Sequence, residues 1–239
     1  MIGRFRQGAM HLFARMLDSV GALLGAAEAA PRTVRVVMHV LHTRSDNRTQ
    51  SEWRSLIEAQ IRSLNDSFSG QTPPGVMPAA DTGIRFACEW DRCVIKTVPD
   101  ASSFDPKAAR KVAKPSDGRY ALNIWVVPNM PDGYGYGYGD SPWWAHRSIH
   151  GVFITASEFA GKACTHEVGH WLGLEHVNLD NLDDTNDPSP DNFMDISSDN
   201  QQWARFSPLQ IARMRRSLFV FRRGTISPKS APAASRGSQ

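Results

Sequence analysis

The sequence is poor in three features that mark common classes of protein: long apolar runs, net charge and cysteine. None of its stretches reaches the roughly 18 consecutive apolar residues that a membrane-spanning helix needs. The formal net charge is only +3, which gives no indication of nucleic-acid binding. Three cysteines are too few for a scaffold built on disulfides. The 239 residues therefore predict an ordinary globular protein with one large domain and a real core, and we expect a monomer.

Basic residues are also missing from one long stretch of the chain. Between positions 163 and 204 there is no lysine or arginine, whereas carboxylates are frequent. A cleft formed by this acidic half would attract cationic side chains of a substrate. Part of the stretch, with Asp183 and Asp184, either holds calcium, which prefers carboxylate and carbonyl oxygens, or is a solvated acidic loop.

The acidic stretch opens with a dense group of metal-binding residue types. On a helix, His166 and His170 lie on one face, so both imidazoles can reach one zinc ion, and Glu167 can reach a water bound to it. Gly173 allows the helix to end, because glycine readily adopts positive φ, and the chain can then turn back to supply His176 as a third ligand. Three protein ligands leave zinc one open position, which is the catalytic arrangement. The alternative is a coincidental polar helix.

This extended zinc motif resembles that of the metzincin metallopeptidases, and within them that of the pappalysin family. The segment Asn192–Asp195 (NFMD) resembles the family's Met-turn, in which Met194 would pack beneath the metal ligands without binding the metal. The resemblance covers roughly residues 31–221. It implies a zinc-dependent endopeptidase acting on proteins or peptides, in which a water on zinc attacks the peptide bond and Glu167 is the general base.

The resemblance and the pattern of elements together predict an α+β, metzincin-like zincin fold. We expect a mixed, mostly parallel β-sheet with a backing helix and an active-site helix, then an irregular C-terminal subdomain with one helix. Apolar runs predict strands at 33–42, 120–127 and 151–155, the last on the edge that faces a substrate. Capping boxes predict helices after Thr49 and Ser207, and the zinc helix is expected to start near 157–161.

The catalytic domain is predicted to span 32–223, with its two subdomains divided after about 173, and 224–239 is predicted to be a disordered tail. Residues 1–31 resemble a leader. Arg4 and Arg6 precede a mostly apolar stretch, and Ala27-Glu-Ala29 has the form of a signal-peptidase site. The segment is either a secretion signal, which implies an extracellular enzyme, or an amphipathic or disordered extension.

The cysteines give a further prediction. Cys88 and Cys93 flank a short loop between two strand-like runs, and in a hairpin they would face each other within disulfide range. That favours a bridge in an oxidising compartment, whereas the alternative is two reduced thiols in a cytosolic protein. Cys164 is expected to pack as a small hydrophobe under the zinc helix.

Two features depart from the family pattern. Pappalysins usually carry a tyrosine two residues after the Met-turn methionine, whose hydroxyl steadies the oxyanion, and here that position is Ile196. Loss of one such donor typically costs about 10²-fold or more in rate, so the alternative function is a catalytically weak or inactive peptide-binding module. The second departure is a short connection between His176 and Met194 without cysteines, which weakens the transfer of the family's calcium sites.

A run of alternating glycine and tyrosine before the zinc helix supplies the other candidate site residues. The run forms either a lid or cleft rim or merely a surface loop. Conceivable substitutes for the missing hydroxyl come from this side of the chain: Tyr134, Tyr136, Tyr138 and His146. Tyr138 and, beyond the Met-turn, Asp199 are candidate substrate contacts, and Asp199 would favour arginine or lysine beside the cut.

Overall fold

The computed structural model describes most of the predicted catalytic domain. The described residues are 31–72, 78–100, 102–116, 118, 120–142, 149–177, 179, 182–185, 189–197, 202–222 and 226–227. The predictions for the leader, for His146 and Asp199, and for the tail beyond 227 lie outside them. Among the described residues, no helix has both the length and the apolar character needed to cross a membrane.

The described chain forms seven strands and four α-helices. The strands are β1 (Arg32–Thr43), β2 (Ile84–Cys88), β3 (Val94–Val98), β4 (Leu122–Val127), β5 (Gly137–Gly139), β6 (Gly151–Thr155) and β7 (Ile226–Ser227). The helices are α1 (Gln50–Phe68), α2 (Pro106–Val112), α3 (Ala163–Trp171) and α4 (Pro208–Phe221).

All seven strands belong to one mixed sheet. Its order is β2-β1-β4-β6-β5, and β3 and β7 also pair with β1. The pairs β1/β2, β1/β3, β1/β4 and β4/β6 are parallel, whereas β5 and β7 run antiparallel to their partners. The predicted α+β fold with a mostly parallel sheet is therefore confirmed. Strands β4 and β6 are buried along their whole length because helices cover both faces of the sheet.

The two faces of the sheet pack into separate cores. Met38 and Val40 of β1 point into the larger core, which contains α1, α3 and α4. Leu41 points into the smaller core under α2, because successive side chains of a strand alternate between faces. Cys164 is fully buried in the larger core, as expected for a small apolar side chain. The zinc-motif helix thus lies on the better-packed face.

The helix caps form as predicted, whereas the start of the zinc helix does not. The side chains of Thr49 and Glu52 cap α1 reciprocally, and Ser207 and Gln210 do the same for α4. Helix α3 starts at Ala163, later than the predicted 157–161, because the preceding residues form a turn in which Ala160 has φ 69°. The amide of Ala160 donates to the buried side chain of Gln60 at 2.8 Å, so α1 holds this turn in place.

Two predicted strand arrangements are wrong. The runs at 84–88 and 94–98 do not form a hairpin, because β1 is long enough to pair with both in parallel, β2 beside Arg32–Val36 and β3 beside His39–Thr43. The 3₁₀ turn between them advances the chain along β1 instead of reversing it. Strand β6 is not the sheet edge, because the short strand β5 from the glycine–tyrosine run covers it.

The end of the chain also contains an element that the sequence did not indicate. Strand β7 pairs antiparallel with the start of β1, placing Ser227 beside Thr33 and Ile226 beside Val34. These two residues fall in the segment for which composition predicts disorder. Two residues are too few for periodicity to indicate a strand, so this pairing depends on the tertiary fold.

Candidate metal centre

The three histidines of the zinc motif converge on one point. Helix α3 ends at Trp171, and Gly173 follows with φ 90°, so glycine takes the conformation predicted for it. The Nε2 atom of His176 lies 3.2 Å from Nε2 of His166 and 3.1 Å from Nε2 of His170. All three ligand atoms lie within 4.8 Å of one another. The turn at the glycine therefore brings the third imidazole to the other two, as a shared metal ion requires.

Backbone carbonyls hold two of these rings in the orientation that suits a metal. Nδ1 of His166 lies 2.6 Å from the carbonyl oxygen of Phe193, and Nδ1 of His170 lies 2.8 Å from that of Leu174. Because a carbonyl only accepts, each Nδ1 carries the proton and each Nε2 presents its lone pair to the centre. Burial lowers the pKa of His170 to about 4 and that of His166 well below its usual range, so both stay neutral. This donor set fits zinc.

The segment predicted as a Met-turn packs against the helix that carries His166 and His170. Met194 is fully buried, and a Cβ added at Gly169 of α3 would stand 2.5 Å from its sulfur atom, so a larger residue there would require Met194 to move. The ring of Trp203 stacks on His166 with centroids 4.9 Å apart and planes at 12°, and its Nε1 donates to the carbonyl of Asp195. Sequence reasoning missed Trp203 and Gly169, because neither position belongs to a spacing that indicates metal binding.

Glu167 lies beside the histidines and is almost completely buried. Burial alone raises the pKa of the carboxyl to about 8, because the charged form loses its hydration. Strand β5 closes over it. A Cβ added at Gly137 would stand 2.7 Å from the Glu167 side chain, and one added at Gly139 would overlap the Glu167 carbonyl. The alternating glycines therefore allow β5 to pack closely against Glu167. Glycine inside a strand often marks such a close approach, so the sequence did contain an indication of it.

A cleft of about 590 Å³ opens between β5 and the histidines. The glycine–tyrosine run forms its rim, and the exposed apolar residues Leu179 and Ile196 also line it. Tyr138 lines the cleft too, and its ring packs on Phe153 at a centroid distance of 6.2 Å. The ring of Tyr136 lies 6.3 Å from that of His166. Burial and the Glu167 charge raise the pKa of Tyr136 far above its usual range, so its hydroxyl keeps its proton.

Cys88 and Cys93, which were predicted to form a disulfide, lie close together although the predicted hairpin does not form. The Sγ atoms of Cys88 and Cys93 lie 3.4 Å apart, and both are free thiols in the structure. The 3₁₀ turn at Trp90–Arg92 closes the loop that brings them together. The disulfide itself therefore stays a prediction.

The described part of the acidic connection has a structural task. The carboxylate of Asp184 accepts hydrogen bonds from the Ser207 hydroxyl and the Leu209 amide, both at 2.8 Å, at the start of α4. Across the described ranges, the histidine trio is the only group of three or more histidine, cysteine or acidic residues arranged to share an ion. A calcium site in this connection is not confirmed.

Comparison with known proteins gives consistent matches. The chain is 29% identical over 165 residues to an extracellular metalloprotease of Colletotrichum graminicola, covering 64% of this chain and 54% of that protein. It is 26% identical over 239 residues to an extracellular metalloprotease of Pyricularia oryzae, covering 83% of this chain and 79% of that protein. The chain thus spans about half the length of the first relative. No protein-family model matches it.

The fold matches solved structures of mirolysin from Tannerella forsythia. Mature mirolysin in complex with a cleaved peptide aligns with a TM-score of 0.63 at 20% identity, covering 82% of this chain and 98% of that one. A promirolysin variant aligns with a TM-score of 0.69 at 19% identity, covering 87% and 88%. At these identities the likeness shows that the chain shares the fold of mirolysin, and it shows no more than the fold.

Proposed function

We propose that this chain is a zinc-dependent endopeptidase in which Glu167 is the general base. The observation that carries the proposal is the convergence of three neutral imidazole nitrogens within 4.8 Å, with a buried carboxylate next to them at the floor of an open cleft. The two relatives named as extracellular metalloproteases support it. The same names and the leader-like residues 1–31 support secretion.

A zinc ion would be held by His166, His170 and His176. When bound, zinc supplies a Lewis acid that polarises the scissile carbonyl and lowers the pKa of a water towards neutrality. Glu167 accepts a proton from that water during its attack and gives the proton to the leaving amine nitrogen. The close approach of Gly137 to the Glu167 side chain fixes where the carboxylate points.

The substrate is an extended peptide that lies along β5. Among the described strands, β5 pairs only with β6, and its other side borders the cleft. Backbone N–H and C=O groups at a free sheet edge can pair with a peptide strand, which would bring a scissile bond past the histidines. Membership of the pappalysin family and selection of basic residues by Asp199 are further parts of this proposal, based on the sequence resemblance.

The second candidate is a peptide-binding module that binds zinc but cleaves slowly or not at all. The observation in its favour is Ile196, which lies on the cleft wall, is 61% exposed and has no hydrogen-bond donor. The complete ligand set and the buried base favour the enzyme.

One experiment separates the two candidates. The full-length protein is assayed for bound zinc and for cleavage of a denatured protein, with and without a chelator. We expect one zinc per chain and cleavage that the chelator abolishes. Glu167→Ala should keep the zinc and lose about 10³-fold in rate, whereas Glu58→Ala, on the exposed face of α1, should match wild type. Zinc binding without cleavage would support the binding module, and full activity in Glu167→Ala would refute the assigned base.

A further inference from the structure

Hydrolysis of a peptide bond places negative charge on the carbonyl oxygen, and a fixed donor aimed at that oxygen lowers the barrier. Ile196, at the position where the resembling family has a tyrosine, cannot donate. Three tyrosines on the opposite rim carry hydroxyl groups, at positions 134, 136 and 138. The structure distinguishes among them.

Two of these tyrosines pack away from the histidines. The ring of Tyr138 lies 6.2 Å from Phe153, which belongs to the core under α2, on the sheet face opposite α3. Tyr134 packs edge-on against Tyr138, with centroids 5.7 Å apart. This arrangement follows from the alternation in β5, where Gly137 and Gly139 face α3 and Tyr138 faces the other side.

Tyr136 packs on the metal side. It lies in the turn before β5, so the alternation of side chains along that strand does not fix its direction. Its ring packs against the larger core. Its ring centroid lies 6.3 Å from that of His166 and 6.4 Å from that of Trp203, edge-on to both. Within the described part of the chain, no side-chain hydrogen bond of Tyr136 is seen, so its hydroxyl is available to a ligand in the cleft. Tyr136 therefore lines the same cleft as His166 and Glu167.

The backbone around Tyr136 is fixed, as a preorganised donor requires. Its carbonyl oxygen accepts a hydrogen bond from the Thr155 amide at 3.0 Å, at the end of β6. The next residue, Gly137, is held against the Glu167 side chain by close packing. The ring is half-buried between its two aromatic neighbours while its residue still lines the cleft.

We propose that the hydroxyl of Tyr136 donates the hydrogen bond that stabilises the developing oxyanion, in place of the donor that Ile196 lacks. This inference rests on the proposed endopeptidase function. The hydroxyl of Tyr136 donates a hydrogen bond but transfers no proton, so its O–H bond stays intact throughout the reaction. The contact would be strongest when the carbonyl oxygen carries charge, so it raises kcat more than it lowers KM.

The test is Tyr136→Phe in the full-length protein, because this change removes the hydroxyl and keeps the ring that packs on His166 and Trp203. We expect kcat to fall by about 10²-fold with KM and zinc content unchanged. The matched control is Tyr120→Phe, which removes a hydroxyl from a residue that is 49% exposed and outside the cleft. A purely packing role for Tyr136 predicts instead that the phenylalanine variant keeps its kcat.

A binding measurement gives a readout that does not depend on turnover. A phosphinic peptide presents tetrahedral oxygens like those of the reacting carbonyl, whereas the parent peptide does not. With zinc-loaded protein, we expect Tyr136→Phe to lower the affinity for the phosphinic peptide about 10-fold or more. The affinity for the parent peptide is measured in Glu167→Ala protein, which does not cleave it, and adding Tyr136→Phe there should leave that affinity unchanged. Equal kcat and equal phosphinic affinity in wild type and Tyr136→Phe would refute the role of Tyr136 while leaving the endopeptidase standing. A wild-type chain that binds zinc and cleaves nothing would overturn both.

Discussion

Nδ1 of His166 lies 2.6 Å from the carbonyl oxygen of Phe193, so the first histidine of the motif is oriented by the turn at Asn192–Asp195 as well as by its own helix. The two segments are far apart in sequence and belong to different predicted subdomains. Their contact makes the metal site a joint product of α3 and the chain that follows it.

This contact predicts that Asn192 controls zinc affinity. The buried side chain of Asn192 accepts from the Met194 amide at 2.8 Å and donates to Gln210 at 2.9 Å, which fixes the turn that presents the Phe193 carbonyl. Asn192→Ala should weaken zinc binding by about 10- to 100-fold, as measured by competition with a chelating dye. Ser197→Ala, which removes an exposed hydroxyl near the same turn, is the control and should have little effect. Equal zinc affinities in both variants would contradict the prediction.

A second prediction concerns the contact between Gly137 and Glu167. Gly137→Ala puts a methyl group where the glutamate side chain lies, so the carboxylate has to move. We expect kcat to fall by about 10²-fold while zinc content is retained, because small displacements of a catalytic group are costly. Gly161→Ala, in the turn before α3 and outside the cleft, should stay within about threefold of wild type. Full activity in Gly137→Ala would show that the close approach has no functional importance.

A third prediction concerns acid stability. Burial lowers the pKa of His39 from 6.5 to about 4, with the nearby Arg92 charge acting in the same direction and the Asn123 hydrogen bond opposing it. The unfolded chain therefore binds a proton here at a higher pH than the folded chain. The free energy of unfolding should fall as the pH drops from about 6.5 to about 4, by on the order of 3 kcal/mol in total.

The measurement is urea unfolding at pH 7 and pH 4.5 with chelator present, for wild type and for His39→Gln. The glutamine amide can still donate to Asn123, whose Oδ1 lies 3.0 Å from the histidine Nε2. The variant should lose less stability than wild type between the two pH values. The same loss in both proteins would mean that His39 does not contribute to the acid sensitivity.

The cysteines give a fourth prediction. Because the Cys88 and Cys93 sulfurs lie 3.4 Å apart, oxidised protein should show one titratable thiol after unfolding, and reduced protein should show three. The remaining thiol is the fully buried Cys164, which should not react in the folded state. Closing so short a loop should add about 2 kcal/mol to the free energy of unfolding. Three thiols in protein purified under oxidising conditions would contradict the bridge.

A fifth prediction addresses the acidic connection. Asp184→Ala removes two hydrogen bonds to the start of α4 and should lower the free energy of unfolding by about 1–2 kcal/mol, in calcium or in calcium chelator alike. Asp91→Ala, which removes an exposed carboxylate from the 3₁₀ turn at Trp90–Arg92, should have a smaller effect. If the zinc-loaded wild type loses thermal stability when calcium alone is removed, calcium binds and the purely structural account of Asp184 is incomplete.

The convergence of the three histidines was predictable because it depends on local relations in the sequence. Helical spacing places His166 next to His170, and a glycine with positive φ accounts for the return of His176, so these relations follow from the sequence. Capping boxes at Thr49 and Ser207 are local in the same way. The parallel, helix-covered sheet was predictable because its strands read as continuous apolar runs.

The remaining features depend on which segments meet in space. The hairpin at the cysteines was a reasonable local hypothesis. In the structure both strands pair in parallel with β1 instead of with each other, so pairing between distant segments determined the arrangement. Tyr136 and Tyr138 have nearly the same local sequence, yet one packs beside His166 and the other on the far side of the sheet. Only the position of the turn relative to β5 separates them, and composition does not encode it.

The pairing of β7 with the start of β1 has a practical consequence for anyone who shortens this protein. Truncating the chain after α4 would remove the strand that pairs with Thr33 and Val34. Their backbone N–H and C=O groups could then pair with strands of other molecules, which promotes aggregation. Truncated forms should therefore retain the chain through Ser227, and a C-terminal affinity tag should follow that residue.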